Sequence, residues 1–432
     1  RLRAVTHELG AVYRFELDKA GDLRAEYGFD GRRRLYVRDA AGRIVEAYRP
    51  GGLRTCYEYD AAGEIVAVSH SDGSGDRFVY RADGEMIEAR HREPEAEEVV
   101  VRLERDLLGR VVREWQGGHW VASRYGRDGL RAGVWSSLGG RQEIERGAAG
   151  DVTRIEADGW SAEFWRDVRG LEVERRLPGG VRSMWQRDAL GRPVGHRVER
   201  AARPRLDGEA APGLPSRVLR GVGLVWGGDR QLRRIDDLVR GTTELGHDAR
   251  GVLVSSVRGG DAPVLRLPDA LGNLFRREDR GDRRYGPAGE LLAADGVAYA
   301  YDAEGNLVRK TLADGAVWRY QWSASGTLVA VVRPDGEVVR FAYDALGRRV
   351  WKEFRGRRTR WLWDGDVLLH EWTCEVGADD PAPAPACVEE SAASEELARR
   401  AANPAIGPPC EVLTWLFEPD GFAPLARLSS RE

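Results

Sequence analysis

Apolar and polar residues alternate along most of this chain with a period of two. Within 99–104, Val99, Val101 and Leu103 share one face, and Arg102 and Glu104 share the other. Within 317–322, Trp318, Tyr320 and Trp322 lie opposite Arg319 and Gln321; within 339–343, Val339, Phe341 and Tyr343 fall together. Successive side chains of a strand point to opposite faces, so this alternation predicts half-buried β-strands, not helices. Short clusters of Asp, Gly and Ser punctuate the runs. Over 55–80 the pattern predicts a strand at 55–59 and a reversal at Asp60-Ala61-Ala62-Gly63. A returning strand at 64–70, a turn at Ser71-Asp72-Gly73 and a third strand at 77–80 follow.

The reversal recurs. The same phrase reads YEYDAAGEI at 57–65, YAYDAEGNL at 299–307 and FAYDALGR at 341–348. Its glycines stand at Gly21, Gly42, Gly63 and Gly84, one every 21 residues, and resume at Gly109, Gly150, Gly170 and Gly191. Further copies end at Gly251, Gly272, Gly305, Gly326 and Gly347. A fixed period of this size marks an array of identical supersecondary units. The candidate structural-turn pairs are Asp39 with Gly42, Asp60 with Gly63, Asp188 with Gly191, Asp269 with Gly272, Asp302 with Gly305 and Asp344 with Gly347. Each Asp can accept hydrogen bonds from backbone N–H groups just ahead of it, and each Gly supplies a positive φ.

A lone hairpin is marginally stable, so each unit must pair with the next. The predicted fold is all-β: antiparallel hairpins joined into one long sheet that coils or closes as strand twist accumulates. Aromatic residues in register on neighbouring strands are expected to stack as cross-strand ladders. A β-propeller with two hairpins per blade is the alternative; the unequal steps from Gly272 to Gly289 to Gly305 speak against equal blades.

Two stretches break the rhythm. Residues 200–216 (RAARPRLDGEAAPGLPS) read as a loop insertion within a repeat region at 1–374. Residues 375–410 read as a Pro/Ala-rich insertion, with a short helix over 388–402 as a partner-docking alternative to a plain loop. The strand pattern returns at 411–432.

Hydrophobic residues make up 42% of the chain, which fits a sheet with much of one face wet. The net charge of −3 gives no general attraction to nucleic acid or anionic lipid. No apolar stretch approaches the ~20 residues that span a bilayer. The basic residues are almost all Arg, read as coding bias and not as phosphate recognition. Cys56, Cys374, Cys387 and Cys410 form no C-x-x-C pair. A Cys387–Cys410 bridge is open to them, but four reduced thiols are the expectation. The chain opens on Arg1 with strand-like sequence, so it reads as cut from something longer.

Catalytic and metal-binding patterns are missing. The histidines His7, His70, His91, His119, His196, His247 and His370 show no pair at ligand spacing. No nucleophile elbow or phosphate loop occurs. A carboxylate in every repeat reads as a turn former, because catalysis needs one constellation, and a Ca²⁺ site needs more oxygen ligands per loop. No catalytic, metal or cofactor residue is therefore assigned, and no cofactor is expected. Trp361 and Trp363, beside Asp364 and Asp366, are candidates for carbohydrate binding, with packing between strands the plainer reading. Hydrolysis by paired carboxylates rests only on the abundance of Asp and Glu.

The phrase Y-x-Y-D-x-x-G-R resembles the YD repeat of Rhs proteins, shared with toxin-complex subunits, wall-associated proteins and teneurins. Clear copies lie at 57–63, 299–305 and 343–348, and weaker ones, several lacking the Tyr, at 39–43, 106–110, 188–192, 248–251 and 269–272. FAYDALGRRVWKEF, WLWDGDVLLHEW (361–372) and FEPDGFAPLAR (417–427) stand in an order similar to the late core of the bacterial Rhs subgroup. There Glu418, Pro419, Pro424, Leu425, Ala426 and Arg427 match the family motif.

The resemblance implies a hollow β-shell enclosing a C-terminal toxin domain of the same parent, for interbacterial competition. Type VI secretion, an immunity protein, a chaperone and a secretion-spike protein come with that expectation. So does residence in the bacterial cytoplasm until secretion or delivery to a target cell. The family's downstream self-cleavage motif is not reached before Glu432, so neither cleavage nor toxicity is assigned to a residue here. A cell-surface adhesion or carbohydrate-binding module is the alternative function.

Overall fold

The computed structural model describes residues 1–94, 96–201, 217–376, 411–418 and 421–430. Almost every element is a strand; the exceptions are the single 3-10 turns Pro50–Gly52 and Pro178–Gly180. Strands that follow each other in sequence pair antiparallel in open sheets of 24 and 12 strands, with a two-stranded sheet between them in sequence. A propeller would instead separate the strands into short blades, so that alternative does not hold.

The repeat at 55–80 shows the local rule. Strands Arg54–Tyr59, Ile65–His70 and Gly75–Tyr80 pair in succession, with Glu58 opposite Ala67 and Ala67 opposite Arg77. Asp60 N–H donates to Glu64 O and Gly63 N–H to Asp60 O, closing the reversal. The register slips between Glu58 and Tyr59, and likewise between Ala300 and Tyr301 and between Ala342 and Tyr343. Each of these reversals is thus a tight turn plus a bulge, which sharpens twist, whereas the turn at 71–73 joins its strands without a register shift. Gly63 sits at φ +96, a left-handed conformation that costs an L-residue roughly 1–2 kcal/mol.

The alternation predicts one uninterrupted sheet, whereas the structure contains two long ones. Near the break the strands shrink to Val264–Leu265, Leu267–Pro268 and Leu274–Phe275. Gly259 and Gly260 both take positive φ, and Pro263 and Pro268 offer no N–H to a ladder.

The chain divides into two compact units. One comprises Arg1–Ser123, Val134–Gly140 and Arg283–Glu432; the other comprises Arg124–Gly133 and Arg141–Asp282. In the first unit, strands from both long sheets share a core of Val121, Val134, Leu362, Leu369, Trp372, Cys374 and Val412. At this core the sheet faces are buried against each other. The second unit is a run of hairpins from Arg141–Arg146 to Leu274–Phe275, with Ile155, Ala157, Ala162 and Phe164 buried.

The expected aromatic ladders are few. Trp115 and Trp120 meet edge to face at 6.4 Å, but many rings lie against arginine. Arg176 stands 4.2 Å from Trp165, Arg349 4.5 Å from Phe341 and Arg358 4.6 Å from Trp351. A planar guanidinium both stacks and hydrogen-bonds, which lysine cannot reproduce. Arginine thus has a structural use here that composition alone did not reveal.

Cys374 is disulfide-bonded and Cys56 is free, so the expectation of four reduced thiols does not hold. The Cys387–Cys410 bridge, the loop insertion beyond Ala201 and the helix over 388–402 fall outside the described residues.

Candidate functional site

The repeated turn is the first place to look for chemistry. The Asp39 carboxylate accepts from the N–H of Ala41 and Arg43 at 2.9 Å, and its other oxygen takes Arg43 Nε at 2.8 Å. Asp60 accepts from Gly63 and Glu64, and Asp188 from Leu190 and Arg192. Asp269 and Asp302 accept from Leu271 and Glu304, and also from the backbone and side chain of Asn273 and Asn306. The paired glycines, Gly42, Gly191, Gly272, Gly305 and Gly347, all take positive φ. Backbone hydrogen bonds from Arg43, followed by its guanidinium, hold the Asp39 carboxyl below the usual carboxylate range. These carboxylates are occupied in shaping backbone.

One copy differs in environment. Asp344 accepts from Leu346 and Arg348 N–H like its counterparts, but Asp344 and Arg348 are buried. Arg348 Nε reaches Asp344 at 2.8 Å, and Nη1 reaches both Gly365 O and Glu114 Oε1 at 2.7 Å. Glu114 belongs to strand Val111–Gln116 of the 24-stranded sheet, whereas Arg348 lies in a reversal of the 12-stranded sheet. Burial raises the Glu114 carboxyl above its ordinary range and opposes the Arg348 charge; the Glu114 and Asp344 carboxylates more than restore that charge. Beside it, the Gln116 amide donates to Trp363 O at 2.7 Å and accepts Trp363 N–H at 3.0 Å. It takes the place of a strand neighbour where the ladder bulges between Leu362 and Trp363.

A second junction centres on His370, which is fully buried. Its Nε2 lies 2.7 Å from Ser136 Oγ and its Nδ1 3.0 Å from Thr414 Oγ1. Burial, followed by nearby His119, pushes its pKa down to about 3. A serine–histidine pair invites a nucleophilic reading. Yet both residues are 0% exposed, and the third partner is a hydroxyl, not the carboxylate that would orient a general base. The cluster joins strands of the two sheets and offers no path for a substrate.

A third knot holds a charged histidine. His91 Nδ1 lies 2.7 Å from Asp76 and Nε2 3.2 Å from Glu93. Burial disfavours its charge, but the two carboxylates outweigh that and raise the pKa to about 9. Among the described residues, no group of His, Cys, Asp or Glu is arranged to hold a metal ion.

The Trp361 indole N–H donates to Glu371 at 3.3 Å, and that of Trp363 to Arg349 O at 2.8 Å. Both polar edges are engaged within the sheet. Glu418 O closes a turn with Gly421 N–H, Pro424 opens the strand Pro424–Ser429, Ala426 faces Leu416 across it, and Arg427 covers Trp415. Leu425 is half-buried on the same strand; Pro419 falls outside the described residues. The alternation gave no signal for Glu114, Gln116, Ser136 or His91. Their partners lie on other strands or on the other sheet.

Comparison with known proteins agrees with this geometry. The family described as RHS Repeat matches residues 38–74, 301–338 and 322–350. Probable deoxyribonuclease RhsB of Dickeya dadantii (strain 3937) is 26% identical over 250 residues, 56% of this chain. The match spans only 14% of that protein's length. Among solved structures, TcdB2-TccC3-TEV superposes with a TM-score of 0.59 at 13% identity, covering 94% of this chain and 22% of that one. TcdB2-TccC3 gives 0.56 at 12% identity, covering 84% and 23%. At such identities the likeness is one of fold. The repeated Asp-x-x-Gly hairpins, their consecutive pairing and these matches together support the Rhs/YD-repeat family for this chain.

Proposed function

We propose that this chain is a wall segment of an Rhs-type toxin, enclosing a C-terminal toxin domain of the same parent protein for delivery between bacteria. The observation that carries this reading is the succession of hairpins, each paired to the next, whose turn carboxylates are spent on backbone and on arginine. Such an array provides surface, not a reaction centre. Catalysis is assigned to the toxin domain and to the self-cleavage motif of a parent polypeptide, and none to this segment.

In this proposal residues 1–374 form the wall, 200–216 and 375–410 are insertions, and 411–432 is the returning strand. The pairing of Val412–Phe417 with Val367–Glu375 supports that division, since the chain returns beside the strand it left. Glu418, Pro419, Pro424, Leu425, Ala426 and Arg427 mark the late core. Delivery by type VI secretion belongs to the proposal, as do an immunity protein, a chaperone, a secretion-spike protein and a cytoplasmic stage before release.

The test is co-expression of the parent's wall and C-terminal region, followed by limited proteolysis. The C-terminal region should resist digestion when the complete wall is present and be degraded when the wall is truncated. Equal digestion rates with and without the wall would refute containment.

A further inference from the structure

At several of the bulged reversals the residue immediately before the turn makes a contact that the motif does not describe. The Tyr59 hydroxyl donates to Ile44 O at 2.7 Å, Tyr80 to Ile65 O at 3.0 Å and Tyr343 to Leu328 O at 3.0 Å. Where the tyrosine is missing, another donor does the same. The Trp322 indole N–H reaches Leu307 O at 2.9 Å, Arg105 Nε reaches Met86 O at 2.9 Å, and Arg187 Nη2 reaches Glu172 O at 3.2 Å. In each case the acceptor is the first strand residue after the preceding reversal.

The ladder explains why that carbonyl needs a partner. Pairing between Ile44–Tyr48 and Arg54–Tyr59 stops at Glu46 opposite Cys56, two residues short of Ile44. Between Ile65–His70 and Gly75–Tyr80 it stops at Ala67 opposite Arg77, two short of Ile65. Between Leu328–Val332 and Val338–Tyr343 it stops at Ala330 opposite Arg340, two short of Leu328. The same holds for Glu172, where the last pair is Glu174 with Met184. The bulge bends the strands apart at the mouth of each hairpin and leaves one carbonyl beyond the last backbone donor. A half-buried carbonyl without a partner is costly, so a side chain from the following hairpin closes it.

We propose that this position is the repeat-to-repeat clamp, and that it requires a long side chain ending in an N–H or O–H donor. An aromatic ring is not the requirement. Tyr, Trp and Arg share that reach and that donor, which accounts for the degenerate copies of the phrase. Some positions before a reversal carry no such donor. Among them, Leu17 and Phe417 lie in the outermost hairpins of their sheets, and Pro268 lies in the two-stranded sheet beyond the 24-stranded one.

Hydrogen exchange on the full chain tests this, with thermal unfolding as a check on folding. In Tyr80→Phe, which keeps the ring, amides at the hairpin mouth near Ile65 should exchange about two- to tenfold faster than wild type. Tyr80→Arg, which loses the ring and keeps a donor, should exchange at close to the wild-type rate. Arg187→Met and Arg187→Tyr repeat the contrast near Glu172, and decide the matter if a Tyr80 variant does not fold. Exchange in Tyr80→Phe or Arg187→Met that matches wild type overturns the proposal. So does a donor-bearing variant no better protected than its donor-free counterpart.

Discussion

Arg348 Nη1 stands 2.7 Å from Glu114 Oε1, and the pair ties a reversal of one sheet to a strand of the other within the first unit. The other Asp-x-x-Gly-Arg copies hold the same internal Asp–Arg pair at the surface. Here burial makes the arginine indispensable, because removing one partner strands a charge out of water. Arg348→Met or Glu114→Gln should lower unfolding stability by about 3–5 kcal/mol. The double variant should lose less than the two singles added together. Arg43→Met, acting on half-buried Asp39, should change the denaturation midpoint far less.

His91 predicts an alkaline weakness. Its folded pKa of about 9 lies above the ordinary histidine value, so its charge stabilises the fold fully below about pH 6.5. That contribution is lost as the pH rises through 9. Denaturation of wild type and His91→Gln should differ most near pH 6 and converge toward pH 10. A difference that stays constant across that range would show that Asp76 and Glu93 do not act on a charged imidazole.

His370 predicts the opposite limb. Its folded pKa of about 3 lies below the ordinary value, so the neutral ring is favoured in the fold and stability is lost as the pH falls. Between about pH 6.5 and 3 the unfolded chain takes up a proton that the folded chain refuses, a slope of about 1.4 kcal/mol per pH unit. Urea midpoints from pH 7 to 4 should fall less steeply in His370→Gln than in wild type.

Glycine positions should divide by mechanism. A Cβ on Gly347 meets nothing within 4 Å, so Gly347→Val suffers chiefly from its φ of +78, roughly 1–2 kcal/mol. A Cβ on Gly140 would lie 2.6 Å from His370 Cε1, inside a buried junction. Gly140→Ala should therefore destabilise more than Gly347→Val although it adds fewer atoms. Thermal midpoints of the two variants decide this.

The strands, the reversals and their order were fixed by local chemistry. A two-residue alternation can bury one face only as a strand, and Asp-x-x-Gly closes a turn from within four or five residues. Strands read at 55–59 and 64–70 accordingly fall within a residue of Arg54–Tyr59 and Ile65–His70, and the resemblance to the family was readable too. Tertiary structure alone decided which of several equivalent Asp–Arg pairs is buried and that His370 meets Ser136. It also decided that the long ladder gives way near Pro268, and that within the first unit strands of the two long sheets share a core. Those outcomes depend on residues hundreds of positions apart, whose encounter no periodicity encodes. The clamp lies between the two: its donors, where present, stand at one fixed place in the repeat, but the carbonyl they close becomes visible only once the strands have bent apart.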